Sequence, residues 1–449
     1  MKRLVALAAL AALLVAGSVG QAADVAAKKI TLAQAVDAAV SDNPELAIAK
    51  ESIDVADARV SSARRLRLPV LSVDAIGQMW NEAQTIDFSG ISITARDQFT
   101  GSVSLTLTQP LSGLAVIGKL VSVEESGKSL AAAQLSGAKL DVAAQTAEVY
   151  LRAMQAKAGI DVANQSVTQL EAELARAKTL EGAGVLAKVD LMRIDSARAT
   201  AVQAVLEAQD QFSQALDQLA LFLGIGSGAA IETVDDLPQT LPHVPWDEKT
   251  AVDAALARNP ELLNANLQAQ QADGAVLVKK ADYYPNVVAL GNYSHVEGQG
   301  VFAIKDSAYV GISLKWNIFD WGKRGEDMRE VRGRATQARM TATRARDKVA
   351  LDVRGKLRSA ATSYKQLAVA QQGLATAEEA YRIQSVRFQN GGATTIDVLD
   401  AETDVARARL AVVNHRYEYA IALVQLAHAI GEQPLAAFSA KAATGGESR

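Results

Sequence analysis

The chain has no cysteine in 449 residues. That excludes a disulfide framework, and it leaves no thiol for lipid attachment. It also has no long apolar run beyond its first two dozen residues, so no later stretch can cross a bilayer as a helix. The four histidines, His243, His295, His415 and His428, show no ligand spacing, and without cysteine no metal cluster is expected. No nucleophile-elbow pattern occurs. Gly113-Leu114-Ala115-Val116-Ile117-Gly118-Lys119 imitates a phosphate loop, but Leu120 stands where a serine or threonine must follow. An enzyme is not expected, nor a cofactor. Basic clusters are few. Nucleic acid is therefore not the expected partner.

The N-terminus is informative. Met1-Lys2-Arg3 leads into an apolar run from Leu4 to Ala16 and small residues through Gly20-Gln21-Ala22. A basic start, a short apolar core and a small-x-small site make an export signal, with cleavage expected after Ala22. The run is shorter than the ~20 residues of a spanning helix. Removing Lys2 and Arg3 from the 46 basic residues leaves 44 against 50 acidic, a net charge of −6. An exported chain without cysteine reads most easily as bacterial.

The remainder repeats itself. Ala35-Val36-Asp37-Ala38-Ala39 precedes Asn43-Pro44-Glu45-Leu46; Ala251-Val252-Asp253-Ala254-Ala255 precedes Asn259-Pro260-Glu261-Leu262. Asn43 and Asn259 are 216 apart, as are Pro69 and Pro285. One spacing for both matches indicates internal duplication. The first repeat is assigned to 23–224 and the second to 249–432, with a Pro- and Gly-bearing linker over 225–248 and a flexible tail over 433–449.

Each repeat changes period after its proline. Leu71, Val73 and Ala75 alternate with Ser72 and Asp74; after a polar gap from Asn81 to Asp97, Val103, Leu105 and Leu107 alternate with Ser102, Ser104, Thr106 and Thr108. Val310, Ile312, Leu314 and Trp316 alternate with Tyr309, Gly311, Ser313 and Lys315. These are strands of about ten residues, the length of a tilted membrane strand. Hairpins are expected over 70–109 and 286–318. A small soluble sheet would alternate too, but apolar groups on one face and serine and threonine on the other suit a lipid-facing wall around a wet lumen. Four strands cannot close a barrel, and an open edge is forbidden in lipid. Other copies of the chain must complete it, which implies a symmetric ring.

Long helices follow each hairpin. Leu140, Ala144, Ala147, Leu151 and Met154 step by four and three, as do Ala360, Tyr364, Leu367, Ala370 and Leu374. Such stripes pack helices side by side. Two glycine turns interrupt them, Gly182-Ala183-Gly184-Val185-Leu186 and Asn390-Gly391-Gly392. Gly184 and Gly391 are 207 apart, and so are Asp190 and Asp397. Asp397 and Asp400, three apart, share a helix face. The bland reading of this pair is a solvated face, or acids favoured by the helix dipole.

The whole mature chain resembles the TolC-type outer-membrane efflux family. The most specific stretches are Trp316-Asn317-Ile318-Phe319-Asp320-Trp321-Gly322 and Thr395-Ile396-Asp397-Val398-Leu399-Asp400-Ala401. The resemblance implies a mainly α protein with β: four transmembrane strands per protomer, twelve in a homotrimeric barrel in the outer membrane, continued by an antiparallel α-helical coiled-coil barrel across the periplasm of a Gram-negative cell. It implies an exit duct of a tripartite efflux or type I secretion system. A periplasmic adaptor meets the tips, and an inner-membrane pump or ABC transporter supplies the energy. Asp397 and Asp400 match the acidic ring at the periplasmic entrance. Gly184, Val185, Leu186, Gly391 and Gly392 match the adaptor-facing tips. The family often carries an aromatic and a basic latch residue where this chain has Phe388 and Ala393; the latch is then either absent or carried by Lys188 or Arg193 near the first tip, and the candidate gate contacts are Asp190, Lys188, Arg193 and Phe388. The rival reading is a non-conducting periplasmic coiled-coil scaffold.

Overall fold

A computed structural model describes residues 28–225, 231–300 and 303–438. The export signal expected over 1–22 lies outside the described residues.

The chain opens with β1 (Lys28–Ile30), α1 (Leu32–Asp42) and α2 (Pro44–Arg65). Thr31 caps α1 reciprocally with Gln34, and Asn43 caps α2 by accepting the Glu45 N–H at 2.8 Å. Pro44 occupies the first helical position, where its missing N–H costs nothing. Next come β2 (Val70–Met79), β3 (Gln84–Phe88), β4 (Ile91–Arg96) and β5 (Phe99–Pro110). Then follow α3 (Gly113–Gly182), α4 (Lys188–Phe222) and β6 (Ile231–Thr233). The second half has α5 (Glu248–Arg258), α6 (Pro260–Lys279), β7 (Asn286–Glu297), β8 (Asp306–Lys315), α7 (Lys323–Gln389) and α8 (Thr395–Ile430). Asn259 caps α6 as Asn43 caps α2.

Strands β2, β5, β7 and β8 form one antiparallel sheet in that order. Register aligns Val73 with Leu105, Leu105 with Tyr293, and Gly291 with Val310. One face therefore carries Leu71, Val73, Leu105, Leu107, Val310, Ile312 and Leu314. The other carries Ser104, Thr106, Asn292 and Ser313, with Asn292 donating to the Thr106 hydroxyl at 2.9 Å. Among the described residues nothing covers the apolar face: all ten residues of β2 are exposed, and Val310 is 90% exposed. Strands β2 and β8 are the free edges.

The gap between β2 and β5 is not irregular. It holds the separate hairpin β3–β4, turned through Ser89 and Gly90, both at positive φ. Two consecutive left-handed residues suit the twist of a tight hairpin. The second hairpin is shorter than 286–318, since β8 stops at Lys315 and residues 316–322 lead into α7.

At 1.5 Å per residue the 70-residue α3 and 67-residue α7 each span roughly 100 Å. The main core sits part-way along them. There Val142, Ala147, Leu151, Val349, Val353, Leu423 and Leu426 are buried together with α1 and α5. Strands β1 and β6 pair in parallel across the belt of this core. The Tyr150 hydroxyl pins them, lying 2.8 Å from the Ile30 carbonyl and accepting the Val234 N–H at 3.1 Å. Of the tail expected to be flexible over 433–449, residues 439–449 lie outside the described residues, while 433–438 are ordered against the helices. Pro434–Phe438 form a 3₁₀ turn, and Ala437 is 1% exposed in the main core. An apolar Pro-Leu-Ala-Ala-Phe segment has area to bury, and it does so. Among the described residues no helix is long and apolar enough to cross a membrane.

Candidate functional site: the helical tips

Both hairpins of helices turn by the same backbone device. Val185 N–H donates to the Leu180 carbonyl at 2.9 Å, and Gly392 N–H to the Arg387 carbonyl at 2.7 Å. These 6→1 bonds satisfy carbonyls that a helix end leaves free. Between them sit Gly184 at φ +73° and Gly391 at φ +70°. An added Cβ would meet nothing at either position. The requirement is for the left-handed backbone, not for space.

The return helices start differently. At the second tip Thr394 and Asp397 cap each other. At the first, Ala187 has no side-chain oxygen to cap the helix, and Asp190 pairs instead with Arg193 at 3.4 Å. Lys188 is exposed and has no ion pair among the described residues. Val185, Val189 and Met192 are exposed at 70, 54 and 62%, so the first tip presents apolar side chains to its surroundings. Phe388 is 6% exposed; within one chain it is a buried support of the turn. The tips hold together through a small core of Leu174, Ala177 and Ile194 with Leu186, Leu191 and Leu399. Leu399 belongs to the second tip, directly beside Asp400.

Asp397 and Asp400 line one open groove between α7 and α8, together with Asp404 and Arg407. Their situations differ. The Asp397 carboxylate is engaged by Thr394, which holds it below the usual carboxylate range. Asp404 pairs with Arg407 at 2.8 Å. The Asp400 side chain is exposed and has no hydrogen bond or ion pair among the described residues.

Sequence reasoning missed a buried polar cluster just above the tips. Glu173 is 2% exposed and accepts from Arg176 at 2.7 Å, Ser385 at 3.1 Å and Tyr381 at 3.2 Å. Its Oε2 atom is buried without a partner among the described residues. Nearby, Glu402 is 5% exposed and accepts from the Ser166 hydroxyl. Burial pushes Glu402 up and, with the Glu173 carboxylate beside it, Tyr381 up to about 12. The available signal was charge inside an apolar stripe: Glu173 follows Leu170 by three, and Glu402 follows Val398 by four.

Residues 35–225 and 251–432 match the family described as outer membrane efflux protein. The chain belongs to that family. Its efflux channels are transport proteins of the outer membrane that extend into the periplasm, not enzymes. The two matched segments fall on the two halves of the duplication. The cobalt-zinc-cadmium resistance protein CzcC of Cupriavidus metallidurans is 23% identical over 88% of this chain and 89% of its own length. The outer membrane protein TolC of Escherichia coli is 23% identical over 91% and 84%. Among solved structures, the outer membrane protein VceC of Vibrio cholerae superposes with a TM-score of 0.76 at 18% identity, covering 89% of this chain and 96% of that one. The efflux family accounts for a sheet with a bare apolar face joined to helices of roughly 100 Å.

Proposed function

We propose that three copies of this chain form a passive exit duct of a tripartite efflux or type I secretion system. The observation that carries the reading is the four-stranded sheet, with β2 and β8 as open edges and, among the described residues, none over its apolar face. In lipid an unpaired edge costs several kcal/mol per orphaned group, so edges must pair between copies. Three copies supply twelve strands. The helices then continue the bore into the periplasm, and the tips meet an adaptor that links to an inner-membrane pump or ABC transporter. Val185, Leu186 and the glycine turns at 184, 391 and 392 form the adaptor-facing surface. Asp400, repeated by the threefold axis, forms a ring of free carboxylates at the entrance; Asp397 stands beside it but is committed to the helix start. Like charges on a narrow bore attract cations.

The test is purification from outer-membrane fractions, followed by gel analysis without and with heating and by bilayer recording. A heat-modifiable trimer that conducts supports the duct. A soluble, non-conducting protein defeats it.

A further inference from the structure

Positive charge gathers at the opposite end of the helices, where they meet the sheet. Three junctions frame a groove of ≈1030 Å³: β5 into α3, α6 into β7, and β8 into α7. Lys119, Lys279, Lys280, Lys315, Lys323 and Arg324 line it. Asp282, Asp320 and Asp327 line it too, which leaves a formal surplus of three positive charges, six less three.

The carboxylates are all spent. Lys279 bridges Asp282 and Asp327 at 2.8 and 3.0 Å, Lys323 reaches Asp327 at 2.8 Å, and Arg324 holds Asp320 at 2.6 Å. Lys119, Lys280 and Lys315 are exposed, and among the described residues they have no ion pair or side-chain hydrogen bond. The groove thus holds three ammonium groups with no counter-charge.

Strand parity says which way it opens. Lys315 is in register with Asn286, and it shares the face of Ser313 and Tyr309. Asn286 and Ser112 also line the groove. This is the polar face of the sheet, the one that looks into the bore once the barrel closes.

We propose that this groove is an anion station at the entrance to the barrel. It receives cargo bearing phosphate, sulfate or carboxylate from the helical section, and the duct has three such stations. Lysine ammoniums are hydrated point charges without a fixed fork, so they select by charge rather than shape. The inference rests on the duct reading. The phosphate of a phospholipid headgroup has the same chemistry, and the test separates the two sources.

Wild-type protein and the K119Q/K280Q/K315Q variant are compared, with K119R/K280R/K315R as the charge-preserving control. Tripolyphosphate binding is measured by calorimetry in detergent free of lipid. Its block of KCl current is measured in bilayers. The expected result is binding and block by wild type, both weakened by about tenfold or more in the glutamine variant, retained in the arginine variant, and diminished as salt rises. Equal affinity and equal block in all three overturn the proposal. Phospholipid phosphorus that co-purifies with wild type and is lost in the glutamine variant, with tripolyphosphate affinity unchanged, overturns it in favour of a headgroup seat. A wild type that conducts but neither binds nor is blocked defeats the station alone. A protein that binds yet carries no current defeats the duct reading, and the cargo role with it.

Discussion

Asp397 and Thr394 hold each other at the start of α8. The Asp397 carboxylate accepts both the Thr394 N–H and its hydroxyl at 2.7 Å, and the Asp397 N–H donates to Thr394 Oγ1 at 3.2 Å. Asp400, one turn on, has no such engagement among the described residues. Two aspartates that look equivalent by spacing are therefore expected to separate on mutation. Asp400→Asn should weaken cation block of the open channel while leaving thermal stability unchanged. Thr394→Ala should lower stability by about 1 kcal/mol, the usual cost of a lost cap, with little effect on block. Bilayer recordings with divalent cations, alongside melting curves, check both.

The cap also sets a pH dependence. Hydrogen bonds lower the Asp397 pKa below its ordinary 3.8. Its stabilising contribution is therefore complete above that value and is lost as pH falls through the folded pKa. Glu402 has the opposite sign. Burial raises it above 4.5, so the fold favours its protonated form, and stability declines as pH rises from 4.5 through the folded value. Glu402→Gln mimics the protonated state. It should be more stable than wild type at pH 7, with the advantage shrinking toward pH 4, as read from denaturant midpoints across that range.

Adjacent glycines at the second tip are predicted to behave differently. Gly391 is left-handed, and alanine there should cost about 1–2 kcal/mol although space is free. Gly392 carries no positive φ, and its added Cβ would sit at an ordinary 3.5 Å from the Arg387 carbonyl. Alanine at 392 should therefore be close to neutral. Gly184→Ala should match Gly391→Ala, because the two turns share one geometry. Melting curves and limited proteolysis at the tips measure this.

Sheet parity predicts an asymmetry between neighbours. Leu105 lies on the apolar face and Thr106 on the polar one. Leu105→Lys should destabilise the membrane-inserted protein by about 2–4 kcal/mol, the cost of a cation on the lipid face near the midplane. Thr106→Lys should assemble normally and shift ion selectivity. Refolding yield into lipid vesicles checks the first, and reversal potentials check the second.

Much of this architecture was legible in the sequence because it is periodic and doubled. Alternation in 103–108 and 309–315 marked β5 and β8, and the 207-residue offset between tips reappears as two matching 6→1 turns. What escaped depends on contacts distant in sequence. Lys28–Ile30 pairs with Ile231–Thr233 across some two hundred residues, and three-residue strands carry no period. The β3–β4 hairpin was hidden by polar composition, although Ile86, Ile91 and Ile93 flank a Ser89-Gly90 turn. Glu173 and Glu402 escaped notice, because stripe counting by apolar residues passes over a carboxylate that occupies a core position.

Closure of the sheet between copies is the claim on which the rest depends, and the absence of cysteine makes it directly measurable. Within one chain β2 and β8 are separated by β5 and β7. Three inter-strand spacings amount to about 14 Å, beyond the ~7 Å Cα separation a disulfide can bridge. Single cysteines introduced along β2, at Val73 or Ala75, and along β8, at Val310 or Ile312, can therefore join only between chains. Oxidised in outer membranes and run on denaturing gels, paired variants should give a covalent ladder that ends at the trimer. A monomer that conducts without cross-linking, or a ladder that stops at the dimer, would contradict the account.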